Sequence, residues 1–330
     1  MRGARRRVPT LLSSAMRILF VKTSSLGDVI HHCPAISDAR RHFPTAVIDW
    51  VVEESFVDII GLHSAVRRAI PVAIRRWRTQ FLQRAVWTEM LSFHRALRAE
   101  RYDLIVDTQG LLKSALITSV ARGVTHGYDS ASAREPLASR FYDIAHAVDR
   151  KMHAVDRNRK LTAAALGVQP GAACEYGLVA KHEFPVPWPA PFCVLLSMTS
   201  RSDKLWPEQH WADLARALAA LGLESVLPWG SEIERMRCEQ IVELAGSGVV
   251  PRAMSLGELA SVMNQARAVI GVDTGLVHLA AALNMPAIGL YVGSDPDLTG
   301  LHGGAGVVNL GGPGRMPSVR DVVDAAKVFA

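Results

Sequence analysis

Short apolar runs recur along this chain, each followed by a small polar turn and then a helical pattern, and that alternation leaves few folds open. Residues 18–21, 47–52, 104–107, 193–197, 225–229, 268–272 and 287–291 have the length and composition of strands buried on both faces. Helical patterns follow over 56–62, 89–100, 111–122, 153–166, 207–221, 232–245, 275–283 and 319–329. Gly167 reads as a helix stop, and Ser255 with Glu258 has the spacing of a capping box. Strands that alternate with helices build parallel sheets with helices on both faces.

The alternation breaks once. Pro185, Pro187, Pro189 and Pro191 make residues 181–192 stiff, extended and poor in backbone donors. The chain of 330 residues is therefore expected to form two parallel-sheet α/β domains, over 16–180 and 193–330, joined by that proline-rich linker. Ligands of such sheets lie at the carboxyl ends of the strands, so the expected site is the cleft where the two domains face each other. Residues 1–15 precede the first strand and read as a disordered or non-native extension. Four of the six net positive charges sit there, on Arg2, Arg5, Arg6 and Arg7. The remaining charge is too small to argue for a nucleic-acid partner.

Several chemistries lack their signatures. No G-x-G-x-x-G or G-x-x-x-x-G-K-[ST] follows a strand, which argues against a dinucleotide cofactor or a P-loop. No H-E-x-x-H and no clustered His and carboxylate set suggests a metal, and Cys33, Cys174, Cys193 and Cys238 are scattered without a C-x-x-C. The weakly charged stretch 268–294 is broken by Gly271, Gly275, Asn284 and Pro286, so it reads as a buried strand–helix–strand unit and not as a membrane span.

The polar residues at strand ends are the candidates for chemistry. Lys22, Thr23, Ser24 and Ser25 follow the first strand, with Asp28 opening the next helix and His31 close by; the small-residue turn alone fits a phosphate cradle. Asp273, Thr274 and Gly275 follow the strand at 268–272, with His278 about one turn along the helix. A helix start of this kind suits a diphosphate, although Asp273 and Thr274 also fit simple capping. Thr199, Ser200 and Lys204 lie in the loop after residue 197, and Glu234 follows Trp229-Gly230. Arg75, Arg76 and Arg78 surround Trp77 in a block suited to carboxylates or phosphates, or to a solvated basic turn. Arg134 adds a further guanidinium, for which Glu135 offers a structural partner. Asp107-Thr108-Gln109-Gly110 closes the set and also fits plain turn chemistry.

Taken together, Lys22-Thr-Ser-Ser-Leu-Gly-Asp-Val-Ile-His31, Asp49-Trp-Val-Val-Glu-Glu54, Ile70-Pro-Val-Ala-Ile-Arg-Arg-Trp-Arg78, Thr108-Gln-Gly110, Ala133-Arg-Glu-Pro-Leu-Ala-Ser139, the residues from Lys204 to Trp211, Leu227-Pro-Trp-Gly230 and Val272-Asp-Thr-Gly275 resemble the lipopolysaccharide heptosyltransferases of glycosyltransferase family nine. The resemblance runs from Met16 onward. Within the family it is similar to the branch that adds the first heptose. It implies a glycosyltransferase-B fold, ADP-L-glycero-D-manno-heptose as donor, Kdo2-lipid A as acceptor, inversion at the anomeric carbon, and no metal or other cofactor.

By the same resemblance Asp28 is the base, and Lys204, Thr274, Gly275 and His278 hold the diphosphate. Thr199 and Ser200 lie near the phosphates and sugar, with Ser200 standing where a Thr is usual. Glu234 would take the ribose, Met254 the adenine and Asp273 the heptose or its neighbouring phosphate. Arg75, Arg76, Arg78 and Arg134 would meet the acceptor's carboxylates and phosphates, with Lys22, Ser24 and Ser25 in support. The implied location is the cytoplasmic face of the inner membrane, held peripherally through the basic patch at 75–78. Closure of the cleft on donor binding is also expected. Departures are the N-terminal extension and a stretch at 232–235 that is less acidic than usual. Rival readings are a transferase for a later heptose or another core sugar, a nucleotide-sugar-binding protein without turnover, and a nucleotide-dependent dehydrogenase.

Overall fold

A computed structural model describes residues 15–180, 184–188, 191–304 and 306–329. The first sheet contains β1 (Arg17–Val21), β2 (Val47–Glu53), β3 (Val66–Val72), β4 (Arg101–Asp107), β5 (Arg122–Tyr128) and β6 (Ile144–His146). The second contains β7 (Phe192–Leu196), β8 (Glu224–Val226), β9 (Ala268–Val272), β10 (Ala287–Tyr291) and β11 (Val307–Gly311). The helices are α1 (Leu26–Ile30), α2 (Cys33–His42), α3 (Val57–Ile60), α4 (Ile74–Thr79), α5 (Arg84–Arg98), α6 (Leu112–Val120), α7 (Ala154–Leu166), α8 (Glu208–Ala220), α9 (Glu232–Ala245), α10 (Leu256–Met263), α11 (Gly275–Ala282), α12 (Pro296–Thr299) and α13 (Val319–Ala326).

Both sheets are parallel throughout. The first has the order β3-β2-β1-β4-β5-β6, and the second the order β11-β10-β9-β7-β8. A single parallel bridge from Val226 to Val249 adds the trace of one more strand beside β8. With that trace the second sheet repeats the order of the first. In each, the chain reverses direction across the sheet beside the first strand, and the loops there diverge to leave a crevice at the carboxyl ends. The loops after β1 and β9 open onto the crevice between the two sheets.

Local chemistry explains the element ends. Gly167 caps α7 at φ 68°, a left-handed conformation that glycine adopts without cost. Ser255 and Glu258 form the expected box: the Ser255 N–H donates to Glu258 Oε2 (2.8 Å) and the Glu258 N–H to Ser255 Oγ (3.2 Å). The helix expected over 111–122 ends at Val120, and Arg122 starts β5. That strand, with β6 and β11, escapes a pattern search because its sequence is polar and glycine-rich and it lies away from the sheet centre. Pro136 starts a 3₁₀ turn, Pro136–Phe141. The expected extension, apart from its last residue, lies outside the described residues, as does part of the 181–192 segment.

One apolar core crosses from sheet to sheet. Ile36 and Ile59 from the first half join Leu259, Val262 and Val277 from the second, so the two domains share buried surface below the crevice. Phe184, Val186 and Trp188 pack against the same core.

The Asp49-Trp-Val-Val-Glu-Glu54 motif proves largely architectural. Asp49 is fully buried on β2 and accepts from Arg67 Nε (2.9 Å), Arg68 Nη2 (3.0 Å) and the Tyr102 hydroxyl (2.7 Å), tying β2, β3 and β4 together. Trp50 Nε1 donates to the Lys22 carbonyl (3.0 Å), and Glu53 accepts the Arg75 N–H (3.1 Å). In Asp49→Ala the two arginines can turn to water, but Tyr102 loses its buried partner. Urea unfolding should show a loss of about 1–3 kcal/mol; an unchanged midpoint would contradict this role.

Candidate active site

The first wall of the crevice is the loop after β1. Lys22 is buried, donating from Nζ to the Thr108 carbonyl (2.9 Å) and lying 3.9 Å from Asp28. Burial pushes its ammonium down to about 8, against the pull of Asp28. Gln109 staples the loop: its Oε1 accepts the Thr23 N–H (2.8 Å) and the Ser24 N–H (3.3 Å), and its Nε2 donates to the Ser24 carbonyl. Ser24 Oγ accepts from Lys113 (2.8 Å). These contacts give the Thr108-Gln109-Gly110 motif a reason: it holds the loop that presents Asp28.

Asp28 sits in the first turn of α1 and accepts the Ser25 N–H (3.0 Å). Arg134 donates to both of its oxygens, from Nη1 at 3.2 Å and more closely from Nη2. Burial alone would raise this carboxyl, but the Lys22 and Arg134 charges outweigh it and hold Asp28 well below the usual carboxylate range. Glu135 is not the partner of Arg134; it caps α6 by accepting the Leu112 N–H (2.6 Å).

The second wall is the turn after β9. Asp273 accepts from Lys204 Nζ, Ser294 Oγ (2.6 Å) and, at 3.4 Å, His278 Nε2. Its carboxyl is held low by these contacts despite burial. Thr199 Oγ1 donates to the Asp273 carbonyl (3.2 Å). Thr274 stands at the N-cap of α11 without a side-chain hydrogen bond, so neither Asp273 nor Thr274 caps this helix, and its positive end faces the crevice. Among the described residues, no group of three or more His, Cys, Asp or Glu is placed to hold a metal ion.

The walls meet at glycine. A Cβ on Gly275 would lie 2.6 Å from Leu26 Cβ and 2.8 Å from the Gly27 nitrogen. Beside this contact His31 Nε2 lies 3.3 Å from His278 Nδ1. His31 also packs edge-on against His153, at 5.6 Å between ring centres, and His153 stacks on His302 at 4.5 Å.

Between the walls is a cavity of about 600 Å³. It brings together Ser25, Asp28, Arg75, Arg134, Thr199, Ser200, Lys204, Asp273, Thr274, Gly275 and His278 of the expected residues. Lys22 and Ser24 lie behind Asp28 as support. The arginine block splits three ways. Arg75 lines the cavity; Arg76 pairs with Glu54 (2.9 Å) and Glu89 (2.8 Å) in a neighbouring hollow; Arg78 is exposed beside an apolar groove. Glu234 turns back to accept the Gly230 N–H (2.7 Å), and Met254 lines a separate hollow with Phe184, Trp188 and Pro251. The cavity also takes His31, which the sequence placed beside Asp28 without a role, and Phe56, Arg201 and Thr299, to which it gave none. Arg201 was reachable, since it lies inside the 199–204 loop. Thr299 carried no local signal.

The profile of glycosyltransferase family 9 (heptosyltransferase) matches residues 90–325. Lipopolysaccharide heptosyltransferase 1 of Escherichia coli K12 is 46% identical over 292 residues, covering 87% of this chain and 91% of that protein. The structure of E. coli heptosyltransferase WaaC with ADP superposes with a TM-score of 0.87 at 42% identity, over 96% of this chain and 100% of the other. The WaaC structure with ADP-2-deoxy-2-fluoro heptose gives 0.81 at 42% identity, over 95% and 98%. The two parallel-sheet domains thus form a glycosyltransferase-B fold.

Burial holds the rings of His31 and His32 far below their ordinary value and those of His63 and His153 at about 4. The unfolded chain binds protons at these rings below about pH 6.5, whereas in the folded chain His63 and His153 stay neutral down to about 4 and burial keeps His31 and His32 neutral well below their ordinary value. Their contribution is therefore full above pH 6.5 and lost as the pH falls toward 4. Asp28 and Asp273 act in the same direction below about pH 4. The melting temperature should fall steeply between pH 6.5 and 4.5, and a flat profile there would contradict this reading.

Proposed function

The chain belongs to glycosyltransferase family 9 and is a heptosyltransferase, and from that premise we propose that it transfers L-glycero-D-manno-heptose from ADP-heptose to the first Kdo of Kdo2-lipid A, with inversion and without a metal ion. The observation that carries the reading is one cavity with Asp28 on one wall and Lys204, Asp273 and the start of α11 on the other. An inverting displacement needs such an arrangement: a base behind the attacking hydroxyl, and positive charge at the departing diphosphate on the opposite side.

In this mechanism Asp28 takes the proton of a Kdo hydroxyl as its oxygen attacks the anomeric carbon. The bond from that carbon to the diphosphate breaks, and its electron pair leaves on the phosphate oxygen. Lys204, the N–H groups of α11 and His278 neutralise the charge that develops there, in the place a metal ion fills in other transferases. Thr199 and Ser200 bind phosphate oxygens and the sugar. Donor phosphates compete with Asp273 for Lys204. Glu234 and Met254 take the ribose and adenine after local rearrangement on donor binding.

The resting pair of Arg134 with Asp28 gives the acceptor a part in catalysis. While Arg134 and Lys22 both hold Asp28, the carboxylate is a weak base. An acceptor carboxylate that draws Arg134 onto itself leaves Asp28 more basic at the moment the hydroxyl arrives. Arg75 offers a second guanidinium on the same wall. The acceptor is a membrane lipid, and no helix among the described residues is long and apolar enough to cross a membrane. On this reading the protein works peripherally at the cytoplasmic face of the inner membrane.

Three outcomes test this function. Asp28→Ala should lower kcat by about 10²–10⁴-fold in a transfer assay, and near-normal turnover would remove Asp28 from the role of base. Arg134→Ala should raise the pKa of Asp28, moving the acid limb of the kcat/KM profile to higher pH, and should raise KM for the acceptor; an unmoved limb would contradict the pairing. Chelation with excess EDTA should leave the rate unchanged, whereas loss of activity restored by a divalent ion would contradict the metal-free mechanism.

A further inference from the structure

The helix α5 is unusual in its packing. Of its 15 residues only Val86 and Leu97 are buried. Trp87, Met90 and Leu91 fall on one outward stripe, three and four positions apart, and are 55%, 39% and 56% exposed. Phe81 in the preceding turn is 57% exposed, and Leu116 on α6 is 53% exposed. With Trp77 these side chains line a groove of about 700 Å³. A contiguous apolar surface of this kind on a water-facing helix marks an interaction site.

The charges around the groove identify the partner. Residues 74–98 contain six arginines and a single carboxylate, Glu89. That carboxylate is already bound by Arg76 and by Trp77 Nε1 (2.9 Å). Arg75, Arg78, Arg84 and Arg95 are exposed along α4 and α5. A second copy of the chain would bring the same positive charge onto itself. An anionic lipid surface meets both features, with basic side chains on the headgroups and aromatic and aliphatic ones below them.

The groove is also continuous with the site. Lys113 lines it and donates to Ser24 in the loop that presents Asp28, and Arg75 of the cavity lies on the same short helix as Arg78 of the groove. We propose that the α4–α5–α6 face docks on an anionic bilayer through Trp87, Met90, Leu91, Phe81 and Leu116, so that the acceptor end of the cavity opens at the headgroup level. This rests on the reading of the acceptor as a membrane lipid, and it names the surface by which the protein reaches it.

The test uses the full chain with vesicles of phosphatidylglycerol and phosphatidylethanolamine, and with phosphatidylcholine as the neutral control. Sedimentation should show binding to the anionic vesicles and little to the neutral ones. Brominated lipid should quench tryptophan fluorescence, and Trp87→Phe should lose most of that quenching. The double variant Trp87→Ser, Leu91→Ser should partition roughly tenfold or more weakly. Its transfer to Kdo2-lipid A stripped of acyl chains should stay within about twofold, since neither residue lies in the cavity. Unchanged partitioning of the double variant, absent quenching, or a self-association that the variant abolishes without lipid would each overturn the proposal. Failure of the wild-type protein to act on the stripped acceptor, with vesicle binding intact, would instead count against the proposed function and leave the docking surface standing.

Discussion

The site exists because two chain segments touch across the crevice with almost no side chain between them. Gly275 at the start of α11 lies against Leu26 and Gly27, and any Cβ there would meet Leu26 at 2.6 Å. This contact sets the distance between Asp28 and Asp273, and it is locked by the His31–His278 approach and by the apolar core beneath it. Each sheet alone would leave half a site: a carboxylate with nothing opposite it, or an uncapped helix start facing no second wall. The crevice is therefore a property of the pair of domains.

Within it the electrostatic logic repeats. Each wall has one carboxylate that is ionised well into acid, and each carboxylate holds cations in place: Lys22 and Arg134 on Asp28, Lys204 on Asp273. An empty pocket of clustered positive charge would be costly, because like charges at low dielectric repel strongly. The carboxylates offset that repulsion until polyanionic substrates arrive. On the proposed function, donor phosphates would then take over Lys204, and an acceptor carboxylate would take over Arg134. The same exchange would ready Asp28, tying binding to chemistry on both sides of the reacting bond.

Much of this was legible in the chain and some was not, for physical reasons. The apolar runs placed Asp28, Lys204 and the Thr274–Gly275 turn at strand ends, and strand ends face the crevice. The loop at 22–27, which looks like a phosphate cradle in isolation, is instead stapled by Gln109 and serves to hold Asp28. Gly275 looked like an anion contact, but its closest constraint is a residue nearly 250 positions away, which no local pattern reveals. Arg75, Arg76 and Arg78 are neighbours in sequence yet diverge in space because successive helical positions point about 100° apart; only the locations of Glu54 and Glu89 decide which one is consumed. Asp49, a charged residue inside an apolar run, owes its place to Arg67, Arg68 and Tyr102 from two other strands. The outward stripe of α5 was likewise hidden, since an amphipathic pattern does not say which apolar face has a partner.

If, as proposed, this crevice joins a heptose donor to an acceptor presented at a lipid surface, the choice of acceptor decides between the proposed function and its rivals. Purified full-length protein should be given ADP-heptose with Kdo2-lipid A, or with the same lipid already bearing one heptose, and the products weighed by mass spectrometry. A single heptose should be added to Kdo2-lipid A and none to the heptosylated lipid. Transfer only to the heptosylated lipid, or donor binding with no product from either, would contradict it.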